Sequence, residues 1–245
     1  MHAEEYARMF ELEDRYWWFV ARRRLALALL RDAVEVDRPR VLDLGCGTGV
    51  VLGELEGWAE PVGVDFSALA LGFCRRRGLR RLVAARGESL PLRTASFDAV
   101  LALDILEHIP DDEAAFREAF RVLRPGGALV LSVPAFRILW GPHDVALMHQ
   151  RRYRLPEIAR RLEQAGFRVR RISYSIFLLF PIVLLIRLAE KLKRGEAKAS
   201  LPPVPGWLNR LLVGLQSVET GWIRRRRLPW GSSVVAVAVK PRQEP

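Results

Sequence analysis

The stretch Val41-Leu42-Asp43-Leu44-Gly45-Cys46-Gly47-Thr48-Gly49-Val50 constrains this chain more than any other. Its apolar run is too short for a helix and ends in three glycines at alternate positions. That pattern reads as a buried strand entering a tight turn, with a helix starting near Val50. Glycine suits such a turn because the backbone must take unusual dihedrals and let a ligand approach closely. N–H groups opening the new helix then favour an anionic ligand group. A dinucleotide fingerprint needs glycine at the first, third and sixth places of the turn, and the sixth here is Val50. Asp43, at the strand end, also lies where it would repel a pyrophosphate.

Beyond the turn, strands and helices alternate. Pro61–Asp65 forms a second strand ending in an acid, about twenty residues past the loop, where open α/β sheets place a carboxylate beside a ribose. Such a group accepts from both ribose hydroxyls, and Phe66 beside it can pack on a base. Ser67 is placed to cap a helix running through Arg75-Arg76-Arg77 to Gly78. Leu82–Ala85 makes a third strand and Ser96–Asp104 a fourth. Asp112 can cap the following helix, whose apolar positions Ala115, Phe116, Phe120, Val122 and Leu123 keep helical spacing up to Arg124-Pro125-Gly126-Gly127. Ala128–Pro134 is then a fifth, continuously apolar strand. Such alternation predicts a parallel sheet with right-handed crossovers.

Four of these segments resemble motifs of class I S-adenosylmethionine-dependent methyltransferases, of the small-molecule or lipid acceptor type. They are the Asp-hydrophobic-Gly-Cys-Gly-Thr-Gly turn, the loop Gly87-Glu88-Ser89-Leu90-Pro91, Leu106-Glu107-His108 after the fourth strand, and Leu123-Arg124-Pro125-Gly126-Gly127. The resemblance covers about residues 40–134 and implies an α/β fold. That fold is a Rossmann-like seven-stranded methyltransferase sheet, mostly parallel, with the last strand antiparallel and inserted between the fifth and sixth. Helical additions sit at the N-terminus and between the last two strands. It further implies S-adenosyl-L-methionine as cofactor, S-adenosylhomocysteine as product, and a cofactor site of Asp43, Gly45, Cys46, Gly47, Thr48, Gly49, Asp65, Phe66, Glu88, Ser89 and Asp104. Within it the glycine loop takes the methionyl end, Asp43 its ammonium through water, Asp65 the ribose and Glu88 the adenine amino group. Glu88 stands where the family usually has aspartate. Asp104, Glu107 and His108, at i, i+3 and i+4, share a face on a helical turn and form a minority alternative as metal ligands; the favoured reading has no metal.

The remaining segments divide the chain into a single methyltransferase domain with parts at 1–39, 40–134, 135–175, 176–230 and 231–245. The first is a helical cap whose aromatics (Tyr16, Trp17, Trp18, Phe19) serve as core, as one wall of the acceptor pocket, or both. In the third, His143, His149, Arg152 and Tyr153 precede a helix with Pro156 in its first turn and Gly166 beyond its end. A neutral histidine there can take a proton from an acceptor hydroxyl, and arginine can hold an anionic acceptor. These four are the catalytic candidates, with turn-forming and solvated roles as the plain alternative. Arg168–Tyr174 alternates like a half-exposed strand, and Ser233–Val239 looks like its reversed partner.

About fifty-five residues lie between those two strands, where a hairpin would suffice. The apolar run 176–186 is broken by Pro181 and falls short of the ~20 residues a membrane span needs. Arg187, Lys191, Lys193 and Arg194 follow it, then Pro202, Pro203 and Pro205. Trp207, Leu208, Leu211, Leu212, Leu215, Val218 and Trp222 then keep helical spacing before Arg224–Arg227. Apolar stripes edged by tryptophan and arginine suit a helix in the membrane interface. A packed hairpin, a dimer contact and a lid over the acceptor pocket share the pattern.

Composition closes off other classes. Half of the 245 residues are hydrophobic and charges are mixed throughout, which excludes global disorder. Two cysteines, one inside the glycine turn, point to a reducing, cytoplasmic setting, with peripheral contact at the inner membrane face as an extension. The opening residues carry no secretory pattern. The net charge of +11 comes from 39 basic residues of which only Lys191, Lys193, Lys198 and Lys240 are lysine, so arginine bias explains much of it. An RNA methyltransferase or basic nucleic-acid binder is the first alternative, disfavoured by the apolar insertion. A non-catalytic membrane-peripheral scaffold is the second, disfavoured because every nameable pocket position is filled as the chemistry requires. A nicotinamide oxidoreductase is disfavoured by Val50.

Overall fold

The computed structural model describes residues 3–192 and 203–242. Lys193, Arg194, Lys198 and Pro202, and the side chain of Lys191, lie outside the described residues. Two helices, α1 (Ala3–Leu12) and α2 (Trp17–Ala33), lead into β1 (Arg40–Leu44). Then come α3 (Val50–Leu55), β2 (Glu60–Asp65), α4 (Ala68–Arg76), β3 (Leu82–Ala84), β4 (Phe97–Leu103), α5 (Asp112–Val122) and β5 (Leu123–Pro134). The second half comprises α6 (Pro142–Ala146), α7 (Leu155–Gln164), β6 (Arg168–Ser175), α8 (Phe180–Leu192), α9 (Gly206–Ile223) and β7 (Ser233–Val239).

The strands form one seven-stranded sheet in the order β3-β2-β1-β4-β5-β7-β6. Pairing is parallel from β3 through β5, whereas β7 runs antiparallel between β5 and β6. Apolar side chains leave both faces of each central strand, as burial on both sides demands. Leu42, Leu44, Val100 and Leu129 pack with Phe116, Val122, Ile158 and Leu162 of α5 and α7. Val41, Leu101 and Val130 pack with Leu25, Leu27, Leu29 and Leu30 of α2 and Ile223 of α9. The N-terminal helices are thus a structural layer of the domain as well as a cap.

Two boundaries differ from the sequence expectation. Asp111, not Asp112, caps α5, its side chain accepting from the Ala114 N–H at 2.9 Å. Asp112 sits one residue inside, 2% exposed, and takes the Tyr153 hydroxyl at 2.7 Å and Arg161 at 2.7 Å. The segment Leu123–Gly127 belongs to β5 rather than to a loop, because the Gly126 N–H donates to the Lys240 carbonyl at 2.8 Å and extends the ladder past the glycines.

The insertion is tied to the domain. The Asn209 side chain accepts from the Trp17 N–H at 2.8 Å and donates to the Arg15 carbonyl at 2.9 Å, clamping α9 on the link between α1 and α2. Arg224 pairs with Asp32 of α2 at 2.6 Å, and buried Glu219 accepts from the Leu178 N–H at 3.2 Å. Among the described residues, no helix is long and apolar enough to cross a membrane.

Candidate functional site

The sheet order reverses between β1 and β4, and the loops leaving both strands open into a cavity of about 640 Å³. Open α/β sheets bind ligands in the crevice at such a switch. The turn after β1 carries Gly45, Gly47 and Gly49 at φ of +77°, +54° and +88°. A Cβ on Gly45 would lie 2.5 Å from Ile105 Cγ1, so sterics as well as dihedral demand glycine there. Gly45, Cys46 and Gly47 line the cavity. Thr48 and Gly49 do not: Thr48 is buried behind the turn, its hydroxyl donating to Glu13 and its carbonyl accepting from Arg77 at 3.0 Å.

Two buried carboxylates flank the turn. Asp65, 6% exposed, accepts from the Gly47 N–H at 3.0 Å through one oxygen and from the Ser67 N–H at 2.9 Å through the other. Burial pushes its carboxyl up while those N–H groups pull it back. Asp43, 2% exposed, keeps one oxygen with no hydrogen-bond partner. Burial raises it to about 7, with Arg22 opposing. Both acids line the cavity, and so does Phe66, 60% exposed. Glu88 and Ser89 do not line it; Glu88 faces Arg86 at 3.6 Å.

The N-terminal helices supply an aromatic wall through Tyr6, Met9, Tyr16, Trp17 and Trp18. Arg22 of α2 reaches across to pair with Asp104, whose other oxygen accepts from the Ser132 hydroxyl at 3.0 Å. On the same helix, Arg23 donates to the Glu13 carbonyl at 2.8 Å and pairs with Glu54.

The same cavity is lined by Glu107 and by His108, His143 and His149, three of the chain's four histidines. Glu107 and His108 come from a 3-10 turn after β4, Leu106–His108. His149 comes from the loop between α6 and α7. That loop is pinned to the turn by the Gln150 N–H on the Glu107 carbonyl (2.9 Å), Gln150 Nε2 on the His108 carbonyl (3.1 Å) and Arg151 on the Pro110 carbonyl (2.8 Å). His149 Nδ1 lies 2.9 Å from Asp144, which Arg152 grips at 2.8 and 3.0 Å. Burial alone would raise Asp144, but these partners hold it well below the usual carboxylate range. Burial lowers His108 and His143 to about 4, helped by His149 in the first case and Arg187 in the second. Glu107 is fully buried with neither carboxylate oxygen hydrogen-bonded. Burial, then the charge of Asp104, pushes it far up.

Of the four catalytic candidates, His149 and His143 face the cavity with Arg152 beside them. Arg152 is fully engaged by Asp144 and the Ala135 carbonyl at 3.0 Å. Tyr153 is corrected to a core residue: it is 2% exposed, does not line the cavity, and gives its hydroxyl to Asp112. Asp104, named in the minority metal alternative, is held by Arg22 and Ser132. Glu107, His108 and His149 are the residues whose ligand atoms converge.

Fold and site together define a Rossmann-like protein with a nucleoside-sized, partly apolar cavity at the switch point. Residues 42–131 match the family described as "Methyltransferase domain". A Mycolicibacterium smegmatis protein named "Probable S-adenosylmethionine-dependent methyltransferase" is 34% identical over 163 residues, 64% of this chain and 61% of that protein. The demethylmenaquinone methyltransferase of Thermus thermophilus is 37% identical over 135 residues, 52% of this chain and 61% of that protein. The chain thus spans about three-fifths of the length of both relatives. A crystal structure of a Thermotoga maritima S-adenosylmethionine-dependent methyltransferase shares the fold, with a TM-score of 0.63 at 20% identity, covering 97% of this chain and 95% of that one. Residues 42–131 thus match a methyltransferase domain, and the chain is similar in sequence and fold to S-adenosylmethionine-dependent methyltransferases.

Proposed function

We propose that this protein transfers the methyl group of S-adenosylmethionine to an oxygen of a small, largely apolar acceptor. The observation that carries the reading is one cavity lined both by the glycine turn with Asp43 and Asp65 and by the histidine cluster. When bound, the cofactor supplies a methyl group on a positively charged sulfur. Asp43 offers its unpartnered oxygen to the methionyl ammonium, and Asp65, held by two backbone N–H groups, has acceptor capacity left for the ribose hydroxyls. Phe66 offers an open aromatic face for the adenine. Glu88 and Ser89 would reach that base only by moving inward. The aromatic wall of α1 and α2 excludes water and aligns the acceptor, which is most of what a direct displacement requires of a protein. His149, oriented by Asp144, presents Nε2 to take the acceptor's proton. The relative from Thermus thermophilus is named for a quinone precursor, which supports an acceptor with an apolar body.

The insertion favours a lipid-phase acceptor. On α9, Trp207, Leu211, Val218 and Trp222 stand exposed at helical spacing, followed by exposed Arg225, Arg226 and Arg227. On α8, Ile182 and Leu185 face solvent while Val183 and Arg187 line the cavity. A helix with that pattern rests in an anionic membrane interface, and α8 then brings the cavity to the lipid. The deciding experiment is calorimetric titration of the protein with S-adenosylhomocysteine. Micromolar binding that Asp65→Ala weakens by more than tenfold supports the reading; no binding overturns it.

A further inference from the structure

We propose that Glu107, His108 and His149 form a binding site for one divalent transition-metal ion, matched best by zinc, with an open coordination position facing the cavity. One ligand atom from each of the three lies within 4.8 Å of the others, and His149 Nε2 stands 4.0 Å from Glu107 Oε1. Donors around a tetrahedral zinc are roughly 3.3 Å apart, so modest side-chain motion closes the set. Two histidines and one carboxylate match zinc and related borderline ions and mismatch magnesium or calcium, which take oxygen.

Three independent features single out this cluster. Glu107 is fully buried with both oxygens unpartnered, a state that a bound cation relieves. His149 Nδ1 is bound to Asp144, the outer carboxylate that fixes the tautomer and turns Nε2 toward an ion. The Gln150 bonds to both Glu107 and His108 hold the two halves of the site together before any ion arrives. Asp104 is excluded, since Arg22 and Ser132 occupy it. The ligands lie in the cavity wall, so an acceptor oxygen can fill the open position. That last point rests on the methyl-transfer reading; ion binding itself does not. With the ion bound, His149 Nε2 is a ligand and the acceptor hydroxyl loses its proton to solvent from the ion; the base role given to His149 above is that of the ion-free protein.

The test uses the untagged 245-residue chain, stripped with a chelator. It is titrated with Zn²⁺ by calorimetry and with Co²⁺ by visible absorption. The expected result is one equivalent of either ion, with the absorption pattern of four-coordinate cobalt. Glu107→Gln and His149→Ala abolish it, and Asp144→Asn weakens it about 10–100-fold. His108→Ala, at a less buried position, serves if Glu107→Gln fails to fold. S-adenosylhomocysteine binding by the stripped protein is read in parallel, so failure of the cofactor reading and failure of the ion site remain distinct. The proposal is overturned if the stripped chain takes up no stoichiometric ion. Undiminished uptake by the folded ligand variants overturns it equally.

Discussion

Gly45 is where one atom decides most. Its left-handed φ of +77° and the 2.5 Å approach of a would-be Cβ to Ile105 predict that Gly45→Ala destabilises the fold by about 2–3 kcal/mol, from strain plus overpacking, read as a lowered urea midpoint. Asp43 carries a pH dependence. Its folded value near 7 lies above the ordinary 3.8, so the folded state holds the extra proton between them and apo stability falls as pH rises through that window. An ammonium ligand favours the ionised form. S-adenosylhomocysteine affinity should therefore weaken several-fold from pH 7.5 to pH 6, where the carboxylate fraction drops by nearly a factor of ten. Asp43→Asn should flatten that limb in calorimetric titrations; an unchanged slope would remove Asp43 from ammonium binding. Tyr153→Phe separates core from catalysis. Losing the hydroxyl from Asp112 should cost about 1–2 kcal/mol while leaving cofactor affinity and turnover intact, because Arg151 and Arg161 still hold that acid.

At the scale of elements, the sheet was legible because β1, β2 and β4 are short apolar runs closed by glycine or an acid, patterns that only a doubly covered strand satisfies. The α5–β5 boundary was not. Arg124-Pro125-Gly126-Gly127 has a loop's composition, and only pairing with Lys240, more than a hundred residues away, makes it strand. Asp111 and Asp112 are indistinguishable as caps by type; the choice follows from Tyr153 and Arg161, which claim the second. The nearness of His149 to Glu107 is illegible for the same reason: helical spacing groups Asp104 with Glu107 and His108, whereas the loop that delivers His149 is joined to Glu107 by a backbone bond with no sequence signature. For α9, the stripe reads identically whether buried or wet. The structure divides it, with Gln216, Glu219 and Ile223 inward and Trp207, Leu211, Val218 and Trp222 outward. Replacing Trp207 and Trp222 with Glu should abolish flotation with anionic vesicles and leave S-adenosylhomocysteine affinity unchanged. Flotation that persists would remove the membrane reading and leave α9 as a clamp on α2.

Taken whole, the molecule builds its cavity from parts far apart in the chain: α1 and α2, the tips of β1, β2 and β4, the loop carrying His149, and α8. Each buries apolar surface against the sheet, but their shared boundary is a void lined by buried ionisable groups without full hydrogen-bond partners. A ligand that fills the void and partners those groups binds only the folded state, so it must raise stability by mass action. At a hundredfold excess over its dissociation constant the gain is about 2.7 kcal/mol. For a domain of this length that corresponds to roughly 5–11 °C in the thermal midpoint. Differential scanning calorimetry with S-adenosylhomocysteine should show that rise, growing with the logarithm of ligand concentration. In Asp65→Ala it should shrink even where the unliganded midpoint is unchanged. A shift of equal size in that variant would mean that the nucleoside binds elsewhere, and the void at the switch point would need another occupant.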